Sequence, residues 1–132
     1  MTLRLRVVAV DCADPERLAQ FWCAALGYQV VDRDVDGVGI GPGPVPLYDA
    51  LRAGPVAPGI DFLVVPEGKT VKNRLHLDLT PVDATQGEEV ERLLGLGAVR
   101  ADVGQTPEVT WVVLADPEGN EFCVLRGRVE SG

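Results

Sequence analysis

Leu26-Gly27-Tyr28-Gln29-Val30 and Leu96-Gly97-Ala98-Val99-Arg100 lie seventy positions apart, and each reads as an apolar helix end, a glycine stop and a new strand. Glycine suits that stop because a residue without a Cβ enters the left-handed region at little cost. Working back from Gly27, Leu18, Phe21, Trp22, Ala25 and Leu26 recur at i, i+3, i+4, i+7 and i+8, one apolar helical stripe. Asp14-Pro15 supplies that helix with a capping oxygen and a first-turn proline. Working back from Gly97, the spacing predicts a helix over 88–96 with Val90, Leu93 and Leu94 facing the core. A strand pattern precedes each helix, Leu3 to Val10 in one half and Arg74 to Thr80 in the other. An internal duplication accounts for the match.

The rest of each half fits the same order. Tyr28–Asp32 and Ile60–Val65 have strand composition, and the Gly/Pro-rich stretch 36–59 between them is expected to hold an irregular strand and a loop around Tyr48 to Pro58. In the second half, strands are predicted over 98–103, 109–115 and 121–126, the last two joined by Asp116-Pro-Glu-Gly-Asn120. The expected fold class is α+β, two βαβββ modules forming curled mixed sheets around a pocket. Module one spans about 1–66 and module two about 72–127, within one domain over 1–132. Neither half alone is large enough to bury both faces of its sheet.

Composition narrows the partners. Of 132 residues 46% are hydrophobic, enough for a packed core without metal or disulfide staples. The net charge of −8 opposes a nucleic-acid backbone, and no apolar run approaches the ~20 residues of a membrane span. Cys12, Cys23 and Cys123 form an odd set without metal-ligand spacing, and Met1 to Val10 enters a strand pattern with no apolar leader block. A cytoplasmic protein is expected.

Alternation then assigns faces. Leu75, Leu77 and Leu79 share one side of their strand, leaving Arg74, His76, Asp78 and Thr80 on the other. His76, the only histidine, reads either as a strand histidine bonded to Asp78 or as a metal ligand or general acid/base. Phe122 and Val124 oppose Glu121, Cys123 and Leu125. Cys123 reads as a small buried hydrophobe, Trp22 as core, and Trp111 as core or ligand platform. Lys69, Lys72 and Arg74 form a basic cluster, either a solvated loop or an anion grip.

Asp14-Pro15-Glu16 with Phe21-Trp22 and Leu26-Gly27, Val71-Lys-Asn-Arg-Leu-His-Leu-Asp78, and Leu114-Ala-Asp-Pro-Glu-Gly-Asn-Glu-Phe122 together resemble the glyoxalase/bleomycin-resistance/extradiol-dioxygenase superfamily, the vicinal oxygen chelate proteins. The resemblance runs from Leu3 to Arg126. It implies a pocket into which the first and last strands of each module direct metal ligands. Carried over to this chain, those positions fall on Val7, near Leu63, on His76 and on Cys123. At most His76 and Cys123 remain as ligands, so no complete metal site is expected, although weak binding of a divalent ion stays open. A glyoxalase-like protein that binds or sequesters a small organic ligand follows, with Val7, Leu63, Arg74, Trp111 and Cys123 as pocket residues. One alternative is a lyase or isomerase using His76 with Asp78 or Glu121 as acid/base pair; another is an interaction domain without ligand. By analogy with the superfamily, a homodimer is expected.

Overall fold

The computed structural model describes residues 2–46 and 48–131, and it divides into two compact units, one ending at Gly68 and the next beginning at Lys69. The first contains β1 (Val7–Cys12), α1 (Pro15–Leu26), β2 (Gln29–Arg33), β3 (Gly37–Gly41), α2 (Tyr48–Ala53) and β4 (Gly59–Val64). The second contains β5 (Asp78–Leu79), α3 (Gln86–Leu96), β6 (Val99–Arg100), β7 (Val112–Ala115) and β8 (Glu121–Val124). Each unit builds one four-stranded mixed sheet, in the orders β1-β4-β3-β2 and β5-β8-β7-β6. First and last strands run parallel in both units, and the remaining pairs are antiparallel.

In the first unit α1 starts where Asp14 accepts the Arg17 amide at 3.2 Å and stops at Gly27 with φ 71°. Its buried Leu18, Phe21 and Trp22 cover a sheet face made by Val38, Ile40, Ile60 and Phe62. Val8, Val10 and Cys12 share that inward side of β1, while Val7, Ala9 and Asp11 face outward. The outward side of β3 carries no side chains, because Gly37, Gly39 and Gly41 alternate with Val38 and Ile40. A Cβ on Gly37 would lie 1.9 Å from the Phe62 carbonyl oxygen, so only glycine fits there. One segment expected to be irregular is helical: Tyr-Asp-Ala-Leu-Arg-Ala forms α2, with an Asp49–Arg52 ion pair at 2.9 Å. Good helix formers override the Gly/Pro context around them.

In the second unit α3 begins two residues before the predicted start. Thr85 accepts the Glu88 amide at 3.1 Å and Glu88 accepts the Thr85 amide at 3.2 Å, a complete capping box. Val90 and Leu93 are buried with Leu114, Phe122 and Val124. The strand predicted from Arg74 to Thr80 contracts to Asp78–Leu79. Leu77 and Leu79 carbonyls accept the Cys123 and Leu125 amides, so the ladder begins at Leu77. Further upstream a side chain replaces the ladder: the Asn73 amide donates to Glu121 at 2.9 Å. Leu75, expected beside Leu77 and Leu79, is consequently 87% exposed. The strands predicted at 98–103, 109–115 and 121–126 are likewise shorter at their outer ends.

Candidate functional site

Asp116-Pro-Glu-Gly-Asn120 sets the register of the site. The Asp116 carboxylate is buried and accepts the Glu118 and Asn120 amides at 2.9 and 3.0 Å, closing a tight turn that returns β8 against β7. Pairing then places Cys123 beside Val113 on one side and Asp78 on the other. Parallel partners in register project to the same face, so Asp78, Cys123 and Val113 form one row. His76, just upstream of the ladder, reaches the same side through its ring, with Nδ1 against the Asp78 carboxylate.

This face borders a cavity of about 380 Å³, within the size range of small-molecule sites. Val103, Trp111, Val113, Cys123 and Leu125 supply apolar surface, and Lys72, His76, Asp78, Gln105 and Glu121 supply polar groups. Of the residues predicted from sequence, the structure thus brings together His76, Asp78, Glu121, Trp111 and Cys123. Arg74 is exposed and is not among the lining residues, because strand alternation does not extend upstream of Leu77. Val7 and Leu63 belong to the outward side of the first unit's sheet, whereas every lining residue of the cavity comes from the second unit.

The polar groups form two separate sets. His76 Nδ1 lies 3.2 Å from Asp78 Oδ1, and the Cys123 thiol also bonds the Asp78 carboxylate. A carboxylate at Nδ1 favours the tautomer that keeps its proton there and leaves Nε2 as the free base. Burial raises the Cys123 pKa, and the charge and hydrogen bond of Asp78 raise it further against a smaller opposing effect of Lys72. Cys123 is therefore a protonated thiol at neutral pH and a poor nucleophile.

Glu121 forms the second set. It pairs with Lys69 and accepts the Asn73 amide, and 11% of its side chain is exposed. Burial pushes its pKa up, but the Lys69 hydrogen bond, the Asn73 amide and the Lys69 charge outweigh burial and hold it below the usual carboxylate range. A carboxylate so engaged is a structural anchor. Of the two carboxylates expected beside His76, Asp78 is the one that touches the imidazole.

The nitrogen, oxygen and sulfur donors of His76, Asp78 and Cys123 lie within 4.8 Å of one another, and this is the only such group of three among the described residues. Their donor chemistry suits zinc with an open position. Binding would require the Cys123 proton to leave, against the burial and the Asp78 charge that retain it.

Register also identifies a residue that spacing missed. Ile40 pairs with Ile60 and Leu114 with Phe122, which makes Asp61 the first-unit counterpart of Cys123. Leu63 corresponds to Leu125. By the same alignment Val7 corresponds to His76, Ala9 to Asp78 and Gly59 to Glu121. Burial and the nearby Asp32 and Asp34 raise the Asp61 pKa, partly offset by Arg6. The loop residues Val103, Gly104 and Gln105 also line the cavity without a sequence signal. Gln105 accepts the Val103 amide at 2.8 Å and donates to the Ala101 carbonyl at 3.1 Å, fixing that wall through contacts visible only in three dimensions.

Residues 7–125 match the family model described as a glyoxalase-like domain. No curated protein matches the chain. Among solved structures, a glyoxalase/bleomycin resistance protein/dioxygenase family enzyme from Burkholderia phytofirmans PsJN superposes with a TM-score of 0.63 at 19% identity, covering 92% of this chain and 97% of its own. Glyoxalase I of Leishmania major, described as trypanothione-dependent, gives a TM-score of 0.62 at 16% identity, covering 95% and 87%. The fosfomycin resistance protein FosX from Mesorhizobium loti gives 0.60 at 13% identity, covering 90% and 86%. At these identities the structural matches establish a shared fold, and the family match across most of the sequence establishes descent: the chain belongs to the glyoxalase-like domain family.

Proposed function

We propose that the protein binds a small organic molecule in the cavity of its second unit, holding it by apolar contact and one polar edge. The observation carrying this reading is a space of about 380 Å³ with Val103, Trp111, Val113 and Leu125 as apolar surface and a few polar side chains, among them Lys72, His76 and Asp78, at its wall. Sequestration needs no metal, and the chemistry of Cys123 argues against an easily filled metal centre. Trp111 fluorescence in a screen of small metabolites, with and without zinc, tests the proposal. Ligands that quench or shift it should lose affinity in Trp111→Ala. Ligand-independent fluorescence and melting temperature across the screen would refute it.

The His76–Asp78 contact at 3.2 Å favours a second reading, a lyase or isomerase in which Nε2 moves a substrate proton. His76→Ala should then abolish turnover by about 10²–10⁴-fold while the melting temperature changes little, because the side chain is half-exposed. In a protein that only sequesters, no ligand in the screen is converted and the same variant alters affinity alone.

A homodimer is part of the proposal. Leu3 and Leu5, exposed in the segment leading into the edge strand β1, and Val7, exposed at its start, support it. A monomeric mass by light scattering at micromolar concentration removes it. A reducing cytoplasm fits three free cysteines, Cys12, Cys23 and Cys123. No helix among the described residues is long and apolar enough to cross a membrane.

A further inference from the structure

We infer that the cavity selects a small organic anion of the carboxylate class, gripped by Lys72, and that Glu121 is a positioning residue holding the chain segment that carries Lys72. This rests on the cavity being a ligand site, as proposed above, and adds the charge of its occupant.

Two polar groups at the cavity keep free hydrogen-bonding capacity: His76 Nε2, which accepts in the tautomer set by Asp78, and the Lys72 ammonium, which donates. Asp78 is occupied by the His76 ring and the Cys123 thiol. Glu121 is occupied by Lys69 and the Asn73 amide. Both ends of the Gln105 amide bond their own loop. Lys72 differs. Its ammonium donates to the Asn73 carbonyl at 3.1 Å, and no acidic partner pairs with it among the described residues. A lysine ammonium has three donors, so most of its capacity stays available. Its charge is felt at the cavity floor, where it opposes the rise in the Cys123 pKa. Lys72 lines the same cavity as Trp111, Val113 and Leu125, so an anion seated against their apolar surface comes within reach of its ammonium. The local cation also matters because the chain as a whole carries −8 and would otherwise disfavour anions.

Glu121 enters through backbone position. Lys69 bonds the Val71 carbonyl at 2.7 Å as well as the Glu121 carboxylate, and Asn73 reaches Asn120 with its side chain at 3.5 Å. The 69–73 segment is thereby tied to β8 on both sides of Lys72. Without that tie, an exposed stretch containing Val71 and Lys72 has little else to fix it.

The test uses the full chain and matched carboxylate and amide pairs: benzoate with benzamide, 1-naphthoate with 1-naphthamide, and 4-methylpentanoate with its amide. Affinities are read by calorimetry or ligand-observed NMR at fixed pH and salt. The carboxylate of a binding pair should bind about tenfold more tightly than its amide, the strength of one hydrogen bond to a charged group. Lys72→Gln, a change at an exposed side chain, should erase that preference by weakening the carboxylate alone. Glu121→Gln should reduce the preference while amide affinity holds, and Glu121→Asp should restore part of it. Equal binding of both partners, or a preference surviving Lys72→Gln, overturns the anion grip while leaving a ligand pocket in place. Equal losses for carboxylate and amide in Glu121→Gln overturn the positioning role. If no pair binds at all, the pocket reading and the inference fall together.

Discussion

Asp116→Ala isolates the turn that brings β8 to the site. The side chain is 2% exposed and bonds the Glu118 amide at 2.9 Å, the Asn120 amide at 3.0 Å and the Asn120 side-chain amide at 3.0 and 3.2 Å. Truncation strands two part-buried backbone amides, each costing about 1–3 kcal/mol when left without an acceptor. Partial access of water lowers the sum, so a loss of roughly 2–4 kcal/mol is expected. Both amides donate to the same oxygen, Oδ1, so Asp116→Asn, which keeps an acceptor there, should lose much less than the alanine variant. Urea unfolding followed by circular dichroism reads the difference. With a slope of about 1–3 kcal/mol per molar urea, the alanine variant's midpoint should fall by roughly 1–2 M. Hydrogen exchange of the Glu118 and Asn120 amides, measured by NMR, should accelerate more than exchange within β8. A midpoint shift under about 0.3 M, or equal losses for alanine and asparagine, would refute the assignment of the turn's strength to these amides.

Three further outcomes follow from the same geometry. Asp78→Asn removes the charge that helps keep the Cys123 proton in place, so its thiol pKa should fall and iodoacetamide labelling at pH 8, mapped by mass spectrometry, should rise several-fold; Lys72→Gln should slow it. Glu121 has a folded pKa below its ordinary 4.5, so its contribution to stability is complete above that value and disappears as pH falls through the folded pKa. An acid titration of urea midpoints should therefore decline less steeply below about pH 4.5 in Glu121→Gln, and parallel profiles would exclude the anchor role. Gly37→Ala places a Cβ against the Phe62 carbonyl and should cost about 1–3 kcal/mol by overpacking, checked by thermal melting against Gly68→Ala, which meets open space.

The elements that were legible in the sequence are those whose signals are local. Asp14-Pro15 and Gly27 bracket α1 because caps act within one turn, and the alternation of Phe122 and Val124 with Glu121 and Cys123 follows from the strand period alone. What was not legible depends on contacts distant in sequence. Nothing near Arg74 shows that a carboxylate 47 positions later than it, Glu121, will bond the Asn73 amide and displace the start of a strand. The irregular 36–59 stretch hid α2 for a related reason, since abundant glycine and proline masks six residues of good helix propensity. Of the candidate site, the residues on regular β8 and β5 were readable. Those on the 101–105 loop were not.

Strand register within each unit shows where the outward faces of the two sheets differ. At the positions of His76, Asp78, Glu121 and Val113 the first unit has Val7, Ala9, Gly59 and Gly39. Each exchange removes polar reach or side-chain volume from the outward face of the sheet. Asp61 is the exception, and Gly39 shows why it persists: a Cβ at residue 39 would stand 2.8 Å from the Asp61 Oδ1, so the glycine clears the space that the carboxylate occupies. In the second unit Val113 occupies the equivalent place, and a slim thiol stands beside it instead of a carboxylate. The neighbour's bulk and the site residue's size have thus changed together in the two copies. Gly39→Val with Asp61→Cys should therefore be better tolerated than Gly39→Val alone, because the first pair reproduces the packing that Val113 and Cys123 already make. If thermal melts show the double variant no more stable than the single one, the glycine is set by backbone geometry and the coupling of these two positions is wrong.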